Sequence, residues 1–169
     1  MSAEYSRHYE DTVVLRAKPE DVFTYADDHK NFSSHMNNSS WMMGGGSMKT
    51  ETDEGNGQKV GSHIKMKGTV FGANLFLDEI IVEHEPPHRK AWETVGDVNL
   101  VVIDQYKLGF EITPAEDISS LRVYIDYNLP QSRKTRLLGR MFSGMYAKWC
   151  VGQMANGTKE HFDSLRSSE

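Results

Sequence analysis

The chain has 169 residues, enough for one folded unit with a core of its own. Twenty-four acidic residues against nineteen basic give a net charge of -5, so no overall electrostatic footprint for nucleic acid or an anionic membrane follows. Aromatic residues make up 10%, against disorder; a single cysteine, Cys150, excludes an intrachain disulfide; and the polar start MSAEYSRHYEDT lacks the apolar stretch of a secretory signal. No apolar run is long enough to span a bilayer. These features predict a cytoplasmic protein, a single domain over residues 1–169 with its core at about 9–165. The sequons at Asn37, Asn38 and Asn156 read as chance matches in that setting.

Residues 9–16 read as a strand. Pro19 at a first helical position, Glu20 and Asp21 in the first turn, and Val22, Phe23 and Ala26 at helical spacing then open a short helix. Residues 28–38 suggest a second one, packed by Phe32 and Met36. From Ser40 the texture becomes that of strands. Successive runs at 40–54, 59–71, 75–85, 89–95, 100–113 and 121–129 are separated by Gly-Asn-Gly at 55–57, Gly72-Ala73-Asn74, Pro86-Pro87, Gly96-Asp97 and Pro114–Asp117. That hairpin spacing predicts an antiparallel sheet. After Pro130 the period becomes helical. Leu137, Leu138, Met141, Phe142, Met145, Tyr146 and Trp149 share half of a helical wheel, predicting one helix from about Ser132 to about Leu165 with a bend or break near Gly152.

The order is strand, two short helices, six strands, one long helix. A twisted antiparallel sheet must bury such a helix against its concave face, leaving a gap that can hold a small molecule. Pro19–Phe23 at the first helix, Trp41 opening strand two, the Gly57–Gly61 hairpin and the stretch Glu83–Trp92 carry a family likeness. The chain resembles the helix-grip superfamily (SRPBCC) that includes START domains, plant Bet v 1-like proteins and polyketide cyclase/dehydrase-like proteins, over about residues 9–165. The resemblance implies an α+β helix-grip fold: a six- to seven-stranded twisted antiparallel sheet around a long C-terminal helix, with two short helices after strand one. It does not select an activity, because the fold serves lipid carriers, receptors, cyclases and hydrolases alike.

Two functional classes follow. The first is a binding module for a small apolar or amphipathic molecule, such as a lipid, polyketide or aromatic compound. Its expected lining is Met66, Trp92, Tyr106, Leu108, Phe110 and Val123 from the sheet, with Met141, Phe142, Met145 and Trp149 from the helix. Flexible, polarizable methionines suit that task. The second is a cyclase- or dehydratase-type enzyme in the same cavity. Asp104 shares parity with Leu100, Val102, Tyr106 and Leu108, and Asp78 lies between Phe76 and Ile80, so either carboxylate, His84 or a tyrosine is a candidate for proton transfer. A third class, an interaction module with a vestigial cavity, requires a collapsed interior.

No metal or nucleotide cofactor is expected. In a strand Glu83 and Glu85 point away from His84, and the proline pair redirects the chain before His88. His29 and His35 lack a ligand spacing. Gly44-Gly45-Gly46 lacks the Lys-Ser/Thr of a phosphate loop and reads as a bulge or close backbone approach. Cys150 reads as a buried, inert thiol. Arg133, Lys134, Arg136 and Arg140 read as a solvated face, with no nucleic-acid partner and no integral membrane association; the protein is expected as a monomer or homodimer.

Overall fold

In the computed structural model, which describes residues 4–34, 45–70, 72–98 and 100–168, the chain begins with β1 (Arg7–Leu15), α1 (Pro19–Asp27) and α2 (His29–Phe32). It continues through β2 (Met48–Thr52), β3 (His63–Val70), β4 (Ala73–Glu85), β5 (Arg89–Thr94), β6 (Tyr106–Ala115) and β7 (Ile118–Tyr127), and ends in α3 (Arg133–Arg166). The seven strands form one antiparallel sheet in the order β1-β7-β6-β5-β4-β3-β2. The turn signals act as expected: Asn56 and Gly57, Gly72, Gly96 and Glu116 all take left-handed φ between strands. The expectations for Met36, His35, Trp41–Met43 and Gly44 concern residues outside the described ones.

Period-2 alternation puts Ile64, Met66 and Val70 of β3, Leu77 and Ile81 of β4, Leu108, Phe110 and Ile112 of β6, and Leu121, Val123 and Ile125 of β7 on the buried concave face. The chain closes one end of that face with α1 and α2. Phe23 and Phe32 place their rings 5.6 and 5.1 Å from Phe110. At the other end α3 leaves a gap over β2–β5, because among the described elements it packs mainly on β1 and β7. Close backbone approach explains Gly46, where a Cβ would lie 1.9 Å from the Thr69 carbonyl oxygen.

Two expectations about the long elements are corrected. Residues 100–105 are not strand; β6 begins at Tyr106. Here Val102 and Ile103 are both buried, which a strand's alternation does not allow on one face. The helix α3 runs unbroken through Gly144, Gly152 and Gly157. Its buried face is also not the large apolar stripe. Gly139, Ser143, Ala147, Cys150, Val151, Ala155 and Thr158, with Tyr146 and Met154, turn inward. Leu137, Leu138, Met141, Phe142 and Met145 face solvent, with Met141 65% exposed. Small side chains let the helix pack closely: at Gly139 a Cβ would sit 2.6 Å from Pro130 Cδ and 3.0 Å from the carbonyl oxygen of Val102, in the segments that precede α3 and β6.

Candidate functional site

A cavity of about 50 Å³ lies between the concave face of the sheet, the 100–103 segment and the middle of α3. Met48, Met66, Leu77, Trp92, Leu108 and Ile125 line it from the sheet, and Tyr146, Cys150 and Met154 from the helix. Leu100, Val101, Val102 and Ile103 form a wall without regular secondary structure. Among the described residues this lining is mostly apolar, with Ser33, Glu79 and Tyr106 its polar part.

Glu79 is the centre of that polar part. It shares parity with Leu75, Leu77 and Ile81 on β4, so the strand delivers a carboxylate to a position otherwise occupied by aliphatic side chains. It is 1% exposed. The Tyr106 hydroxyl reaches across β5 and donates to Glu79 Oε1. Among the described residues Oε2 has no hydrogen-bond partner, with His29 Nε2 at 3.6 Å. Burial pushes the carboxyl up to about 7, opposed by the Tyr106 hydroxyl and the nearby Trp92 indole N–H. Burial, reinforced by the Glu79 charge, pushes the Tyr106 phenol well above its usual range, so it remains a donor.

A second buried polar group stands behind the first. Lys90 projects from β5 and donates to the Asp27 carbonyl oxygen at 2.7 Å and to Asp27 Oδ1 at 2.8 Å. Burial lowers its pKa, and the bonds to Asp27 oppose that shift. His84 Nε2 lies 3.0 Å from the same carboxylate. The His29 ring stands edge-on to Trp92 at 5.1 Å and 3.2 Å from the Ser33 hydroxyl. The short helix α2 is therefore held over the sheet by polar as well as aromatic contacts. Its N-terminal Asp28 side chain accepts from the Lys30 backbone N–H.

The expected site residues separate into groups. Met66, Trp92, Tyr106 and Leu108 come together on the cavity wall. Phe110 and Val123 are buried on the same concave face outside the cavity lining, with the Phe23 and Phe32 rings packed on Phe110. Met141, Phe142 and Met145 are exposed, and Trp149 is half-buried with its ring 5.8 Å from that of Tyr146; α3 lines the cavity through the opposite face. The candidate carboxylates are displaced as well. Asp78 points out of the sheet and pairs with His63 Nδ1 at 2.9 Å, since β4 buries the other parity. Asp104 lies in the 100–105 segment, where its backbone N–H donates to Asn128. His84 binds Asp27 and packs on Phe23, away from the cavity lining. Glu83 and Glu85 both pair with Arg89, and among the described residues no three His, Cys, Asp or Glu side chains gather as a metal site.

The sequence reading did not single out Glu79, His29 or Ser33 as a site. The available signal was parity: Glu79 alternates with Leu75, Leu77 and Ile81, whereas Asp78 alternates with Phe76 and Ile80. Phe76 proves to be 58% exposed, which decides between them.

The sequence profile of the family described as polyketide cyclase / dehydrase and lipid transport matches residues 6–157. The chain belongs to that family. A search of curated protein sequences finds no match. Among solved structures, the chain is similar to the Zhui aromatase/cyclase from Streptomyces sp. R1128, with 11% identity, a TM-score of 0.69 and 93% of each chain covered. It is also similar to a norcoclaurine synthase point mutant from Thalictrum flavum in complex with a transition-state analogue, with 13% identity, a TM-score of 0.64 and coverage of 95% of this chain and 96% of that one. The protein TTHA0849 from Thermus thermophilus gives 15% identity, a TM-score of 0.67 and coverage of 96% and 100%. At these identities the likeness shows the fold: a Bet v 1-like helix-grip architecture.

Proposed function

We propose that this family member binds one small amphipathic molecule in the cavity, its apolar body among Met48, Met66, Leu77 and Leu108 and its hydrogen-bonding group against Glu79 and Tyr106. One observation supports this above all: a buried carboxylate oxygen with no hydrogen-bond partner among the described residues, at one end of a mostly apolar cavity. An unsatisfied buried acceptor is unfavourable, and a ligand donor would relieve it. The empty space of about 50 Å³ holds only a few waters, whereas small-molecule pockets run to roughly 300–1,000 Å³. Ligand entry therefore requires the walls to move apart. The three lining methionines and the irregular 100–103 segment are the parts best able to do so.

The test uses a solvatochromic apolar probe and two classes of competitor, purely apolar and hydroxyl- or amine-bearing. Both should displace the probe. Glu79→Gln should weaken the donor-bearing competitors roughly tenfold and leave the apolar ones unchanged. Absence of any probe binding by the folded protein overturns the reading.

The Glu79 carboxyl at about 7 favours a second reading, proton-transfer catalysis, because a group with that pKa both accepts and returns a proton at neutral pH. In this reading Glu79 takes the proton α to a ligand carbonyl while the Tyr106 hydroxyl shifts its hydrogen bond towards the enolate oxygen; return of the proton completes the exchange. Deuterium incorporation into an enolisable β-diketone, followed by NMR, should be accelerated by the protein and lost in Glu79→Gln. Equal rates for the two proteins remove the catalytic reading and leave the binding one standing.

A further inference from the structure

The stripe that fails to face the core needs its own explanation. Leu137, Leu138, Met141, Phe142 and Met145 are all exposed, and they cover about 140° of the helix circumference. An apolar ridge of this kind on a solvent face marks a docking surface. The charge around it is one-sided. From Tyr127 to Lys159 there are six basic residues and no acidic one, although the whole chain carries -5. Arg133, Lys134, Arg136, Arg140 and Lys148 are exposed on the same stretch of α3; Lys134 and Lys148 lie within the arc of the ridge, and Arg133 and Arg140 lie to one side of it.

We propose that this face of α3 docks on an anionic phospholipid surface, the ridge entering the headgroup boundary and the basic side chains meeting the lipid phosphates. Long basic side chains flanking an apolar helix face can lay their stems along the apolar region and keep their charges at headgroup level. Charge decides against a second copy of this chain as the occupant. A symmetric dimer through the ridge would set two all-basic surfaces against each other. A nucleic acid would meet the charges and leave the ridge uncovered. Docking of this kind holds α3 in the membrane plane. Tyr146, Cys150 and Met154 on the reverse side of the same helix line the cavity, which places the cavity behind the docked face. The proposal stands independently of what the cavity binds.

Co-sedimentation of the full chain with vesicles tests it. Vesicles of phosphatidylcholine with one quarter phosphatidylserine should bind at least about tenfold more protein than phosphatidylcholine alone, and 0.5 M NaCl should remove most of the difference. Met141→Asp with Phe142→Asp should abolish binding, and Lys134→Glu with Lys148→Glu should reduce it at least about tenfold. Phe76→Ser removes an exposed apolar side chain from a different face and should leave binding unchanged. All these positions are solvent-facing, and circular dichroism checks that each variant keeps its fold. Binding that ignores lipid charge, or that falls equally in Phe76→Ser, overturns the proposal. So does a dimer in sedimentation velocity that Met141→Asp with Phe142→Asp dissolves, since the face would then be an interface between copies.

Discussion

Glu79 should make the protein less stable as the pH rises, and Glu79→Gln should remove that dependence. The carboxyl sits at about 7 in the folded chain against an ordinary 4.5, chiefly because burial disfavours its charge. A raised carboxyl pKa means that the folded state holds a proton the unfolded state has released. Its contribution is complete below pH 4.5, declines as the pH rises through the window from 4.5 to 7, and is gone above it. At about 1.4 kcal/mol per unit, the full swing is about 3 kcal/mol. Glutamine carries no charge to bury and should show no swing from this position. The assay is urea unfolding of both proteins at intervals between pH 4.5 and 8.5, with the difference in stability as the readout, so that all other titrating groups cancel. The variant should gain about 3 kcal/mol on the parent across the window, equivalent to roughly 6–12 °C in melting temperature for a chain of this size. Parallel curves would refute the burial argument. A gain by the parent with rising pH would mean that Glu79 is held charged, with His29 at 3.6 Å as its cationic partner.

The remaining predictions concern packing and the buried cation. Gly139→Ala should destabilise by about 1–3 kcal/mol in thermal melts, because its methyl group would meet Pro130 and the Val102 carbonyl. Gly144→Ala has open space around its Cβ and should stabilise by up to about 1 kcal/mol. Lys90→Met should cost about 3 kcal/mol or more, since it leaves the Asp27 carboxylate without its main buried cation; urea titration reads this directly. Met145→Asp should change stability by less than about 0.5 kcal/mol and leave cavity probe binding intact, because the side chain faces solvent.

The strands and their turns were legible because each signal is local: alternation, a glycine or proline stop, a left-handed turn residue. The sheet accordingly has the expected hairpin order, with β2 to β7 following one another in pairing. The site was legible only where alternation left no choice. On β6, Tyr106, Leu108 and Phe110 share an inward parity with no rival set. Along β4 both parities carry large apolar residues, so nothing local tells whether Asp78 or Glu79 turns inward. Pairing with β3 and β5 settles it. Asp104 was misplaced for a related reason: an apolar run, Leu100–Ile103, reads as strand although both Val102 and Ile103 are buried in an irregular wall.

The helix shows why the richest apolar stripe is not always the buried one. A stripe indicates the core when the facing surface has room for large side chains. Here α3 lies over β1 and β7, whose own side chains, Val13, Leu15, Leu121, Val123 and Ile125, already fill the space. Only a face of glycine, serine, alanine and cysteine can approach, and the large residues are left outside. The same close approach sets the scale of the cavity. With Tyr146 and Met154 as the only large side chains among the fully buried residues of α3, the helix sits low on the sheet and the enclosed space falls to about 50 Å³. A single choice of helix face thus fixes both the small cavity and the exposed ridge.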